Sequence, residues 1–141
     1  MNIIKKVCAH VLFGVLLVAF GINVCAATNK SSVSASWYVG GSGNGYVDGS
    51  VNGRYYKLNK GTVRLKASCT NVSSKKQAYA KLYRKKSGFD AYYGYVNIKS
   101  TSTKTYTFPN KADKKSSEYY LVCGGGEELL NHTLTGTIYN K

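Results

Sequence analysis

The chain has 141 residues, a formal net charge of +14 and only six Asp plus Glu. Ser, Thr, Gly, Asn and thirteen tyrosines dominate it, and long runs of helix-forming residues are absent. That composition excludes a helical bundle and favours an all-β fold.

The first 26 residues read separately. Lys5 and Lys6 give a positive start, residues 11–20 are apolar, and Val24-Cys25-Ala26 offers a small residue at a cleavage position. This is the three-part plan of a secretory signal peptide. The alternative is an uncleaved membrane anchor over residues 7–27, which His10 and Asn23 weaken. Cleavage leaves residues 27–141 as a single domain, with 18 Lys plus Arg against 6 Asp plus Glu, a formal charge of +12. The expected location is secreted, extracellular or wall-associated.

Strands follow by alternation. Val33, Ala35, Trp37 and Val39 share one face of the first, and "GGSGNG" at 40–45 is a flexible turn. "YVDGSVNG" reads as a short irregular strand or a wide loop. Residues 54–58 and 62–70 flank "NKG", which predicts a hairpin. In it Lys57 faces Arg64 and Tyr55 faces Lys66. Like charges so placed destabilise a sheet modestly, and an anionic partner would relieve them. The bland reading is splayed side chains that block edge aggregation.

Residues 77–84 and 91–99 make a second hairpin through Ser87-Gly88. Strands at 104–108, 118–123 and 133–139 complete the count, Pro109 ends the first of these, and "GGGEELLNH" is a loop or one helical turn. Seven to eight short strands predict a small antiparallel β-sandwich.

Cys69 and Cys123 are the two cysteines outside the leader. In an exported chain such a pair is expected to form one structural disulfide. The strand order, with these cysteines on an early and a penultimate strand, resembles an immunoglobulin-type sandwich. That resemblance implies a bridge joining two sheets, Cys69 to Cys123. Leu121 stands where that family carries its corner Tyr, and Trp37 precedes Cys69 rather than following it.

The second hairpin carries the functional signal. In its first arm Ala78, Ala80 and Leu82 alternate with Tyr79, Lys81 and Tyr83. Burying an unpaired Lys81 is costly, so the Tyr-Lys-Tyr side is expected outside. In the second arm Tyr93, Tyr95, Asn97 and Lys99 are expected on the same surface. The predicted register sets Tyr83 opposite Tyr93, Lys81 opposite Tyr95 and Tyr79 opposite Asn97. Arg84, Lys85 and Lys86 would give this platform a cationic end. Half-buried tyrosines are also ordinary strand residues. As a site, Tyr79, Lys81, Tyr83, Arg84, Lys85, Lys86, Tyr93 and Tyr95 would stack on sugar rings and engage anionic groups.

No catalytic set stands out. Glu128 and His132 are four apart, which supplies two ligands and no third. Asp48 and Asp90 sit beside turn glycines, where Asp serves the turn. The chain is therefore read as non-enzymatic, without cofactor or metal. The leading expectation is a secreted binding or adhesion module for wall polymers, acidic glycans or anionic lipid headgroups. Membrane-surface contact and non-specific nucleic-acid binding follow from the same charge. The alternatives are a bacteriocin-like antibacterial protein acting on cell envelopes and an extracellular matrix component.

Overall fold

A computed structural model describes residues 28–140. The signal-peptide assignment falls outside these residues. The described chain is all β, with nine strands rather than seven or eight: β1 (Asn29–Val39), β2 (Tyr46–Asp48), β3 (Tyr56–Leu58), β4 (Val63–Cys69), β5 (Ala78–Arg84), β6 (Ala91–Ile98), β7 (Lys104–Thr107), β8 (Ser116–Gly125) and β9 (Leu130–Asn140). "YVDG" supplies the short β2, and the segment after "GGG" returns to strand at Leu130 without a helix.

The strands form two antiparallel sheets. One runs β1-β9-β4-β7; the other runs β2-β8-β5-β6, with β3 also on β8. First and last strands are neighbours along eleven paired residues. This is the order of a jelly roll, which replaces the immunoglobulin-like expectation. Each strand's apolar parity faces inward. Val33, Trp37, Val39, Leu65, Ala67, Ile138 and Leu134 from the first sheet meet Leu58, Ala80, Leu82, Ile98, Tyr119 and Leu121 from the second.

The predicted hairpin of residues 54–58 with 62–70 does not form. β3 pairs with β8 and β4 with β7 and β9, so the "NKG" turn crosses from sheet to sheet. Leu58 and Val63 on either side of it are both fully buried, and a crossover lets both strands serve the core. The turn is clasped by Asn140, whose Oδ1 accepts from Asn59 N at 2.9 Å and whose Nδ2 donates to Asn59 O. Gly61 and Ala112 exchange backbone hydrogen bonds at 2.9 and 2.8 Å. The pairs Lys57–Arg64 and Tyr55–Lys66 are therefore absent.

The disulfide is also absent. Cys69 on β4 and Cys123 on β8 lie in opposite sheets, as a sheet-to-sheet bridge requires, but both are free and buried. They pack as small apolar residues in the common core. Burial pushes the Cys69 thiol up to about 11. Burial, then the neighbouring Cys69, pushes Cys123 up to about 12. Both are neutral thiols at physiological pH.

Candidate ligand-binding face

The outer face of the five-stranded sheet carries the predicted hairpin. Its register stacks side chains in three rows. Tyr46, Gly124, Tyr79 and Asn97 align across β2, β8, β5 and β6. Asp48, Val122, Lys81 and Tyr95 form the next row, and Tyr120, Tyr83 and Tyr92 the third. Tyr55, just before β3, extends that third row.

The third row is a continuous run of rings. Tyr55 meets Tyr120 edge-on at 6.0 Å between centroids, Tyr120 stacks on Tyr83 at 5.5 Å, and Tyr83 meets Tyr92 at 5.0 Å. Such contacts contribute roughly 0.5–1.5 kcal/mol each beyond burial, which fixes the rings before any ligand arrives. The Tyr120 hydroxyl donates to Asp90 Oδ2 at 2.6 Å, and Lys86 N donates to Asp90 Oδ1 at 3.1 Å. The Tyr120 hydrogen bond, followed by that of Lys86, lowers the Asp90 carboxyl from its ordinary value. Tyr120 is raised by burial first and by Asp90 second.

The neighbouring rows differ in character. Tyr79 lies across Gly124, where an added Cβ would sit 2.5 Å from the Tyr79 hydroxyl. Lys81 Nζ covers the same ring at 4.9 Å, so Tyr79 is a floor rather than a free ring. Tyr95 (51% exposed), Tyr92 (48%) and Tyr46 (64%) are open to solvent. Lys85 Nζ stands 5.8 Å from the Tyr55 ring. Beyond Tyr55 the row ends at a cleft of about 310 Å³ that Ser34, Arg54 and Tyr56 help to line. Lys86 is exposed near the hairpin tip, beside Phe89, which is 96% exposed.

Two predicted site residues turn inward. Tyr83 pairs with Tyr92, not Tyr93, because the β5–β6 register shifts between Lys81 and Tyr83. The cause is a bulge at Tyr93-Gly94. Gly94 has φ +95°, a conformation that favours glycine. Pro109 packs against the Gly94 backbone, and Asn110 N donates to Tyr93 O at 3.3 Å. Tyr93, only 5% exposed, then joins the core. Its hydroxyl donates to Asp113 Oδ1 and accepts from Arg84 Nε at 3.1 Å. Arg84 continues the inward parity of Leu82 and forms an ion pair with Asp113 at 3.3 Å. Burial, then the Asp113 hydrogen bond, pushes the Tyr93 phenol up to about 12. Arg84 and Tyr93 thus close one end of the sandwich and do not belong to the platform.

The Glu128–His132 idea fails on geometry. His132 lies on β9, fully buried, and stacks with Trp37 at 5.6 Å. Its Nδ1 is 3.0 Å from Thr70 O and its Nε2 is 2.8 Å from Glu127 O. Glu128 pairs with Lys76 at 2.8 Å. Among the described residues no three His, Cys, Asp or Glu side chains gather as a metal group. Asp48 accepts from Ser50 N and Ser50 Oγ at 2.8 and 2.7 Å, as a turn Asp does.

Of the predicted set, the structure brings Tyr79, Lys81, Tyr83 and Tyr95 onto one face, with Lys85 at its edge and Lys86 near the tip. It adds Tyr46, Tyr55, Tyr92 and Tyr120. Tyr92 was hidden by the bulge, for which "YYG" followed by a distant Pro gives only a faint signal. Tyr46 and Tyr120 lie on strands that reach this face only through long-range pairing.

Fold and face together define a two-sheet jelly-roll domain with an aromatic outer surface. No protein-family model matches the chain, and no curated protein matches it significantly. Among solved structures, it is similar to the Yersinia pseudotuberculosis-derived mitogen, at 16% identity over 79% of this chain and 86% of that one, with a TM-score of 0.45. It is also similar to the Clostridium thermocellum endo-1,4-β-D-xylanase 10B CBM22-1–GH10 modules complexed with xylohexaose. There the identity is 6%, over 81% of this chain and 26% of that chain, with a TM-score of 0.39.

Proposed function

We propose that this is a secreted, non-enzymatic binding module for acidic polysaccharide at a cell surface. One observation carries the reading: the pre-stacked row Tyr92–Tyr83–Tyr120–Tyr55, with Tyr95 beside it and Lys81 and Lys85 at hand. The half-exposed Tyr92 and Tyr95 offer ring surface that suits the apolar faces of sugar rings. The Tyr83–Tyr120 stack behind, with Tyr120 buried, fixes Tyr92 in advance, so that little freedom is lost on binding. The flanking ammonium groups favour carboxylated over neutral chains, and the basic excess draws polyanions from a distance. Secretion rests on the leader plan of residues 1–26.

Retention on immobilised polysaccharide tests this reading. The protein is expected to be held by polygalacturonate at low ionic strength and mostly released by about 0.5 M salt. Uncharged dextran should hold it more weakly. Failure to bind any polysaccharide at low salt would remove the proposal.

A further inference from the structure

A cationic cluster lies on the opposite face of the molecule. In the four-stranded sheet, Lys30, Tyr139, Arg64 and Thr107 align across β1, β9, β4 and β7. The next row is Ser32, Thr137, Lys66 and Thr105. All eight belong to the outward parity of their strands. Lys30 and Lys66 face each other over a cleft of about 390 Å³, lined also by Thr28, Thr137 and Tyr139. Arg64 flanks Tyr139 from the side opposite Lys30.

Nothing within the described chain neutralises these cations. Its two ion pairs, Lys76–Glu128 and Arg84–Asp113, lie elsewhere. The strands of this sheet contain no Asp or Glu at all. The tyrosine face, by contrast, carries Asp48 and Asp90. Protection of a sheet edge accounts for Lys30 on the edge strand β1 but not for Arg64 and Lys66, because β4 lies inside its sheet, between β9 and β7. Three like charges within two strand spacings, roughly 10 Å, repel one another. A multivalent anion relieves that repulsion, and the Thr137 and Tyr139 hydroxyls add hydrogen-bond donors.

We propose that Lys30, Arg64 and Lys66, with Thr137 and Tyr139, form a second site for a tetrahedral oxyanion, a sulfate or phosphate group. The site is independent of the tyrosine face, so either stands if the other fails. Free ions and esterified polymer share this chemistry, and the test separates them.

The test is a titration of the ¹⁵N-labelled protein with sodium sulfate, and separately with sodium phosphate, against chloride at matched ionic strength. Saturable amide shifts clustered at Lys30, Arg64, Lys66, Thr137 and Tyr139 are expected. Lys66→Gln and Arg64→Gln should each weaken binding about fivefold, an exposed charge-assisted contact being worth this much. Lys76→Gln, at a residue that pairs with Glu128 near the opposite end of β1 and β9, should leave it unchanged. In a second arm, dextran sulfate replaces the free ions. Tighter binding through the same amides identifies an esterified polymer as the source, and binding of free ions alone identifies a small anion. Shifts that track ionic strength without saturation, or dextran sulfate binding that moves only tyrosine-face amides while free ions move none, would overturn the site.

Discussion

Replacing Tyr83 and Tyr92 together with Ala is expected to reduce polygalacturonate affinity by about thirtyfold or more, since each stacking ring contributes about 1–3 kcal/mol in comparable platforms and two together contribute at least about 2 kcal/mol. The two rings, 5.0 Å apart, form the Tyr92 end of the row, and Tyr83 also supports Tyr120. Their loss removes one half of the row and leaves only the Tyr120–Tyr55 pair. Tyr92 is half exposed, so its truncation removes little from the core. Tyr93→Phe is the matched control. It deletes the hydroxyl between Arg84 and Asp113 and should cost stability of about 1–2 kcal/mol while leaving affinity unchanged. Isothermal titration of the variants, with thermal unfolding in parallel, separates these effects. Equal affinities for the double variant and the parent would mean that attraction is purely charge-driven.

The second large effect falls on stability. Gly94→Ala is expected to destabilise the domain by about 3 kcal/mol, from a left-handed backbone and an overpacked neighbour together. An added Cβ would lie 2.3 Å from Pro109 Cγ, and a proline ring has little room to yield. For a domain of this size the loss corresponds to a fall in Tm of roughly 10–20 °C. Gly88→Ala isolates the backbone part. Its φ of +87° is similar, but nothing lies within 4 Å of the new methyl. It should cost about 1 kcal/mol. If both variants melt alike, Pro109 does not clamp the bulge.

The bulge also explains how far the sequence could be read. Simple alternation placed Ala78, Ala80 and Leu82 inside and Tyr79, Lys81 and Tyr83 in the outward parity, and β5 follows that pattern throughout. Alternation assumes an unbroken register, however. One extra residue at Tyr93-Gly94 exchanges Tyr93 for Tyr92 on the outer face. The same rule carried past Tyr83 would have sent Arg84 inward. Its charge argued otherwise, because Asp113 was not visible as its partner. The "NKG" turn misled for a related reason: local turn chemistry is compatible with a hairpin, but the clasp on Asn59 comes from Asn140, 81 residues away. Cys69 and Cys123 lie in opposing sheets, but the bridge that the immunoglobulin-type resemblance implied is absent, and nothing in their sequence indicates that they remain thiols. What local pattern cannot supply is pairing between distant strands. That pairing brings Tyr120 beside Tyr83 and gathers Lys30, Arg64 and Lys66.

Chemical mapping of the tyrosines, free and polysaccharide-bound, reaches the heart of this account. Nitration with tetranitromethane, read by peptide mass spectrometry, should modify Tyr46, Tyr92 and Tyr95 in the free protein and spare Tyr56, Tyr93 and Tyr119. Saturating polygalacturonate should then shield Tyr92 and Tyr95. Modification of Tyr93 in preference to Tyr92, or undiminished labelling of Tyr92 and Tyr95 in the bound state, would contradict the account.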